Sequence, residues 1–191
     1  MQINGWLFYR SAEPVSRQVC VLPAGYTCEM WTPSAFRVRP KGVSFFPFVV
    51  WWLFHALHLF SNREYGLLVI RQDGRVVHRS VITPGYFRFP FMEKEDIQVG
   101  DTWTNSAVRG KGLATIALEN IVKAPRNRNR TCWYIVEADN TASIRVVEKA
   151  GFMLTGCGIR TRLFGLGILG QYVLTEHIIQ IEAEQTASKG A

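Results

Sequence analysis

The stretch that most limits what this chain can become runs from residue 97 to 138. It opens with a β-rich run, "IQVGDTWT" (97–104), and closes with another, "TCWYIVEA" (131–138). Between them, Leu113, Ile116, Ala117 and Ile121 recur on one face of a helix, which Glu119 and Lys123 support as an i,i+4 pair. Pro125 ends that helix in a basic loop, "KAPRNRNR" (123–130). A strand, a helix and a second strand in this order predict a right-handed crossover joining two parallel strands. Gly100 interrupts the first of them, which marks a bulge or a close backbone approach.

The flanking sequence predicts antiparallel neighbours. "YTCEMWTP" (26–33) reads as a strand, and "SAFRVRPKG" (34–42) as a basic loop. Residues 48–59 read as a helix, and 65–83 as a hairpin turning at Asp73-Gly74. "PGYFRFPFMEKED" (84–96) is an aromatic loop broken by proline. Asp139 and Asn140 offer N-caps for a helix over 141–150, and Gly151 supplies its C′ residue. Two more β-rich runs, 152–163 and 171–181, precede a polar tail, 182–191, expected to fray. The expected architecture is one mixed α/β domain over 1–191. A central, mostly antiparallel twisted sheet carries two parallel strands, with helices on its faces and residues 1–25 as an N-terminal extension.

Composition narrows the setting. With 48% hydrophobic and 19% charged residues, the 191-residue chain is globular rather than disordered. Its net charge of +7 points to an anionic partner without choosing among nucleic acid, membrane surface and phosphorylated small molecules. Cys20, Cys28, Cys132 and Cys157 never fall at C-x-x-C spacing, so no metal site is expected. Scattered thiols and the lack of a signal-peptide pattern suggest the cytoplasm. The most apolar run, "FFPFVVWWLFHALHLF" (45–60), is shorter than a bilayer needs and contains Pro47, His55 and His58. A buried or half-buried helix is expected there, with peripheral membrane contact as the sharper alternative. The arginines of 123–130 read as a solvated loop, since no aromatic residue is interleaved for base stacking.

The basic glycine turn carries the chemistry. A helix start exposes unpaired N–H groups and a partial positive charge. Gly110 and Gly112 let backbone approach a ligand, and Arg109 and Lys111 add full charges. Together they suit a phosphate or pyrophosphate. A P-loop is absent, and "GKGLAT" lacks the last glycine of a dinucleotide fingerprint.

What fits is R-x-x-G-x-A, read at Arg109, Gly112 and Ala114, followed by "NTASIRVVEKAGF" at 140–152. These two motifs, in this order, resemble the signatures of the GCN5-related N-acetyltransferase (GNAT) superfamily, and the resemblance covers about residues 97–152. It implies acetyl-CoA as co-substrate, bound in a V-shaped gap between two splayed parallel strands, here 97–104 and 131–138. The pantetheine arm would pair with backbone near Trp103 and Thr104. The pyrophosphate would sit on the amides of Gly110, Lys111, Gly112, Leu113, Ala114 and Thr115, with Asn140 facing the pantetheine.

The implied reaction is transfer of an acetyl (acyl) group to an amine of a small molecule, an amino sugar among the options. An oxyanion donor is expected in a backbone N–H near Thr104. The sequence departs from the family where many relatives carry a catalytic tyrosine, since Val147 stands there. Where many carry a base, Gln98 and Gly100 stand. Asp101 and Glu137 are the nearest carboxylates and the candidate catalytic residues. Tyr134, Cys157 and Tyr172 are further candidate acids, and His55, His58 and His78 candidate shuttles. The aromatic loop and the 48–59 helix would wall the acceptor side, where Arg88 would hold an acceptor phosphate or carboxylate. A monomer or homodimer without nucleic acid is expected. The rival readings are a non-catalytic acyl-CoA-binding module and a basic binder of membrane surface or nucleic acid.

Overall fold

Asp73 and Gly74 turn with φ of 49° and 74°, so the chain reverses in two residues between β3 (Gly66–Gln72) and β4 (Arg75–Pro84). Left-handed φ at both positions matches the twist of the strands they join. In the computed structural model, which describes residues 5–11, 21–34, 36–43, 48–162 and 170–177, this hairpin sits inside one eight-stranded sheet. The other strands are β1 (Trp6–Ser11), β2 (Tyr26–Trp31), β5 (Ile97–Thr104), β6 (Cys132–Glu137), β7 (Phe152–Arg160) and β8 (Tyr172–His177). Their order is β2-β3-β4-β5-β6-β1-β7-β8, antiparallel throughout except for β5 and β6. Cys20, Pro47 and the tail 182–191 lie outside the described residues.

Three helices complete the described fold: α1 (Phe48–Ala56), α2 (Leu113–Lys123) and α3 (Thr141–Lys149). The alternation of β3 and β4 assigns a separate core to each face of the sheet. Leu68, Ile70 and Ile82 point to the face covered by α2 and α3, whose Leu113, Ala117, Leu118, Ile121 and Val147 are buried there. Leu67, Val69 and Val81 point to the other face, where they meet Phe48 of α1 with Trp31, Phe60 and Tyr65. The outer side of α1 and the turn after it leave Val50, Leu53, Leu57 and Leu59 exposed. No helix of the described residues is long and apolar enough to cross a membrane.

Helix ends follow local chemistry. The Asn140 side chain accepts a hydrogen bond from the Ser143 amide at 3.1 Å, which caps α3, and Gly151 takes φ of 81° beyond its end. Asn127 is buried and donates to the Ile121 carbonyl at the end of α2. Two arginines of the basic loop after α2 form ion pairs: Arg126 and Arg130 meet Glu64, and Arg130 also meets Glu95.

The finding that sequence did not anticipate is β1. Trp6–Ser11 falls in the segment read as an N-terminal extension, yet it lies inside the sheet, antiparallel to both β6 and β7. Phe8 is fully buried and Tyr9 nearly so. The strand covers the edge of β6 opposite β5, between β6 and β7.

Candidate functional site

β5 and β6 pair through Ile97–Cys132, Gln98–Trp133 and Val99–Tyr134, and the ladder ends there. Both strands continue, β5 to Thr104 and β6 to Glu137, but β6 keeps only its β1 neighbour. The parting begins at a bulge. Val81 faces Gly100 and Arg79 faces Trp103, so Asp101 and Thr102 together oppose Ser80. Asp101 holds φ of 41°, which bends β5 away. A methyl added at Gly100 beside it would meet the Gln98 amide, so that side chain would have to move.

The parted strands leave a cleft of about 400 Å³. Thr102, Trp103 and Thr104 form one wall, and Tyr134 its floor at the last paired rung. The glycine turn closes one end. Gly110 and Gly112 hold φ of 79° and 75°, and a Cβ on either would project into open space. Gly112 is the N-cap of α2 and no side chain bonds the helix start, so the amides of its first turn have no capping partner. Arg109 lines the cleft and donates through Nε to the Thr104 carbonyl at 3.2 Å. An anion here meets backbone donors, a helix dipole and a guanidinium together.

Most of the residues expected to hold the cofactor are gathered in this cleft: Trp103, Thr104, Arg109, Gly110, Gly112, Leu113, Ala114 and Thr115. Lys111 is turned away from its lining. Its Nζ reaches the Tyr26 hydroxyl at 3.1 Å and lies over that ring. Asn140 spends its side chain on capping α3. The opposite wall, Ala142, Ser143, Arg145, Val146 and Lys149, was not anticipated. The signal was present in the sequence: Arg145 and Lys149 stand i,i+4 on one exposed face of α3.

The two candidate carboxylates do not meet. Asp101 lies at the bulge and pairs with Arg79 at 3.3 Å. It lines a second, smaller cavity of about 160 Å³. Trp51, Tyr86, Phe89 and Tyr172 form the aromatic walls of that cavity, and Arg88 and Gln98 add polar groups. The Arg88 guanidinium lies over the Tyr172 ring at 5.6 Å. Glu137 is exposed at the far end of β6, opposite Trp6, and lines neither cavity. Val147 is fully buried, and Cys157 lies in β7 away from both cavities. Burial lowers His55 and His78 below the usual imidazole range, His78 to about 4. Tyr86 is pushed up to about 12, chiefly by burial, so the phenol stays protonated. Among the described residues no group of metal-ligating side chains is assembled.

Known proteins share this fold. The sequence profile of the acetyltransferase (GNAT) family matches residues 28–152. A GCN5-related N-acetyltransferase from Sphaerobacter thermophilus superposes with a TM-score of 0.53 at 16% identity, covering 78% of this chain and 48% of that one. A tandem GNAT protein from the clavulanic acid biosynthesis pathway gives 0.53 at 17%, covering 81% and 51%. A GNAT-family acetyltransferase from Colwellia psychrerythraea gives 0.51 at 15%, covering 78% and 52%. The chain therefore spans about half the length of these structures. No curated protein matches it in sequence.

Proposed function

Because the chain belongs to the acetyltransferase (GNAT) family, whose members use acetyl-CoA, we propose that it transfers acetyl from acetyl-CoA to the amine of a small molecule. The observation that carries this reading is the parting of β5 and β6 after Val99–Tyr134 onto an uncapped, glycine-flanked helix start. Pyrophosphate fits that helix start, between Arg109 and the cations of α3, Arg145 and Lys149. The pantetheine then runs back along Thr104 and Trp103, pairing with free strand backbone. That places the thioester at the apex of the cleft, beside the bulge.

The acceptor reaches the same point from the other side of β5, through the aromatic cavity that ends at Gly100 and Asp101. Its rings suit an acceptor with a flat or apolar body, and Arg88 suits an anionic group on it. The amine attacks the carbonyl in its neutral form, and Asp101, the carboxylate that faces this cavity, takes up or orients the proton it sheds. Backbone N–H groups following the bulge meet the oxyanion.

The test is release of free thiol from acetyl-CoA by the purified chain against a panel of aromatic amines, amino sugars and amino acids. Turnover above hydrolysis is expected with at least one class. CoA binding by calorimetry without turnover on any of them would instead support a non-catalytic acyl-CoA module.

A further inference from the structure

The proposed acceptor cavity uses only the inner side of α1, through Trp51. This helix, "FVVWWLFHA", carries no Asp, Glu, Lys or Arg. A helix apolar all round belongs in a core or in lipid, yet α1 is covered on one side alone. Phe48, Trp51 and Phe54 pack on the sheet, while Val50, Leu53 and Leu57, spaced i, i+3 and i+7, are between 42% and 65% exposed. The Leu57 amide extends the last turn by donating to the Leu53 carbonyl, and exposed Leu59 follows. A contiguous aliphatic strip of this kind marks a surface that something covers, whereas single exposed leucines do not.

Cations border the strip, and carboxylates do not. Residues 30–63 hold Arg37, Arg39, Lys41 and Arg63 but no Asp or Glu, the longest acid-free run of the chain. All four cations are exposed. Arg63 stands at the C-terminal end of α1, where it donates to the His55 carbonyl at 3.1 Å and meets the His58 ring. The other three belong to the basic loop, which Trp52 ties to α1: its Nε1 donates to the Ser34 carbonyl at 3.0 Å. Ser34 and Arg37 form a bridge, and Phe36 in the turn between them is 98% exposed. Arg37, Arg39, Lys41 and Arg71 line an open groove of about 900 Å³ beside that turn, and Glu29 is the one carboxylate among its described lining residues. Glu29 meets Arg37 and Arg71, so the groove keeps a surplus of positive charge.

We propose that the outer face of α1 and the basic loop beside it dock on an anionic membrane surface. The helix lies in the plane of the headgroups, its leucines enter the acyl boundary, and the four cations meet the charged headgroups. An aliphatic face bordered by Lys and Arg is the pattern of helices that rest in a bilayer interface. The charge of the border selects this occupant. A second copy of the chain, docked two-fold through the same face, would bring like cations together, which opposes association. An anionic bilayer instead complements both the strip and its border, and each cation near it strengthens binding by about fivefold. Trp51, on the inner side of the same helix, lines the aromatic cavity. Docking therefore sets that cavity roughly 10 Å, one helix diameter, from the headgroups.

The test is co-sedimentation of the full chain with vesicles of phosphatidylcholine alone and of equal parts phosphatidylcholine and phosphatidylserine. Binding to the mixed vesicles should be tighter by on the order of 100-fold and should weaken as salt rises. Leu53→Gln with Leu57→Gln, both on the exposed side, should weaken it by about 30-fold. Lys41→Gln should weaken it by about fivefold, and this surface change keeps the test open if the leucine pair does not fold. Arg145→Gln, on the opposite face of the sheet, should leave it unchanged. Binding to neither vesicle, or equal binding to both, overturns the proposal. So does mixed-vesicle binding that ignores the leucine substitutions, or that falls as far with Arg145→Gln as with Lys41→Gln, since either means attraction by net charge alone. A dimer in sedimentation velocity that the leucine pair splits, without vesicle binding, overturns it in favour of a second copy on this face.

Discussion

The two sides of β5 offer different means of recognition. On the α2 and α3 side the cleft offers backbone: the unpaired edge of 102–104, the uncapped start of α2, and two glycines with left-handed φ. On the α1 side the cavity offers side chains, above all the rings of Trp51, Tyr86, Phe89 and Tyr172, which Phe54, Phe60 and Tyr65 back in one cluster of edge-on and stacked rings. Backbone recognition binds a constant ligand and tolerates sequence change outside a few glycines. Side-chain recognition can be rebuilt for a new acceptor, but its members are also the core of that half of the molecule.

That difference predicts opposite consequences of mutation. The largest effect belongs to the aromatic side. Phe60 is 7% exposed and touches Trp51, Phe54, Tyr65 and Tyr86. Phe60→Ala should cost about 3–5 kcal/mol in denaturant unfolding, while CoA affinity of the folded fraction stays native. A large fall in that affinity would erase the division between the two sides.

The next effect comes from His78, fully buried between Ser80 and Thr104. The folded His78 pKa, about 4, lies below the ordinary 6.5, so the unfolded chain binds the extra proton between those values. Stability is fully present above 6.5 and is lost as pH falls through the interval, by up to about 3 kcal/mol. Chemical denaturation from pH 7 to pH 4 should show this slope, and His78→Gln should flatten it. An unaltered slope would mean that other groups carry the acid sensitivity.

Gly112→Asp tests the backbone side itself. The new Cβ would enter open space and Asp reaches left-handed φ at a cost of about 1 kcal/mol, so the fold should persist with a slightly lowered melting temperature. A carboxylate at the proposed pyrophosphate position should weaken CoA binding by about 100-fold, two charge-assisted contacts in magnitude. Native affinity in calorimetry would remove the glycine turn from the site. Smallest of the four, Arg145→Gln and Lys149→Gln should each weaken CoA binding by about fivefold, in the range of exposed charge contacts. The loss should shrink as salt rises. Equal losses at low and high salt would point to packing rather than charge.

The sequence carried the local features well. The Asp73-Gly74 turn, the Asn140 cap, the amphipathic α2 and the glycines before it each act within a few residues, so residue type and spacing were enough to find them. Gly100 likewise marked the bulge, although the left-handed residue proved to be its neighbour Asp101. The crossover 97–138 also followed from order alone, because a short strand–helix–strand unit has one favoured geometry.

What sequence left open depended on residues distant in the chain. β1 pairs with strands more than 120 positions away, and nothing in "WLFYRS" says which edge it will fill. The side chains of Lys111 and Asn140 meet the Tyr26 hydroxyl and the Ser143 amide, and the first of these contacts spans 85 positions that spacing along the chain cannot read. Asp101 and Glu137 looked equivalent as strand carboxylates until the parting of β5 and β6 sent one to the aromatic cavity and the other to an exposed strand end. The contacts of Ser80 with Thr102 and with His78 join β4 and β5, and exist because a one-residue bulge brings Thr102 opposite Ser80. Residue types and short spacings determine turns, caps and helix faces, because those are decided by neighbours in the chain. Register across the sheet determines which hydroxyls touch, because a shift of one residue moves every side chain to the other face.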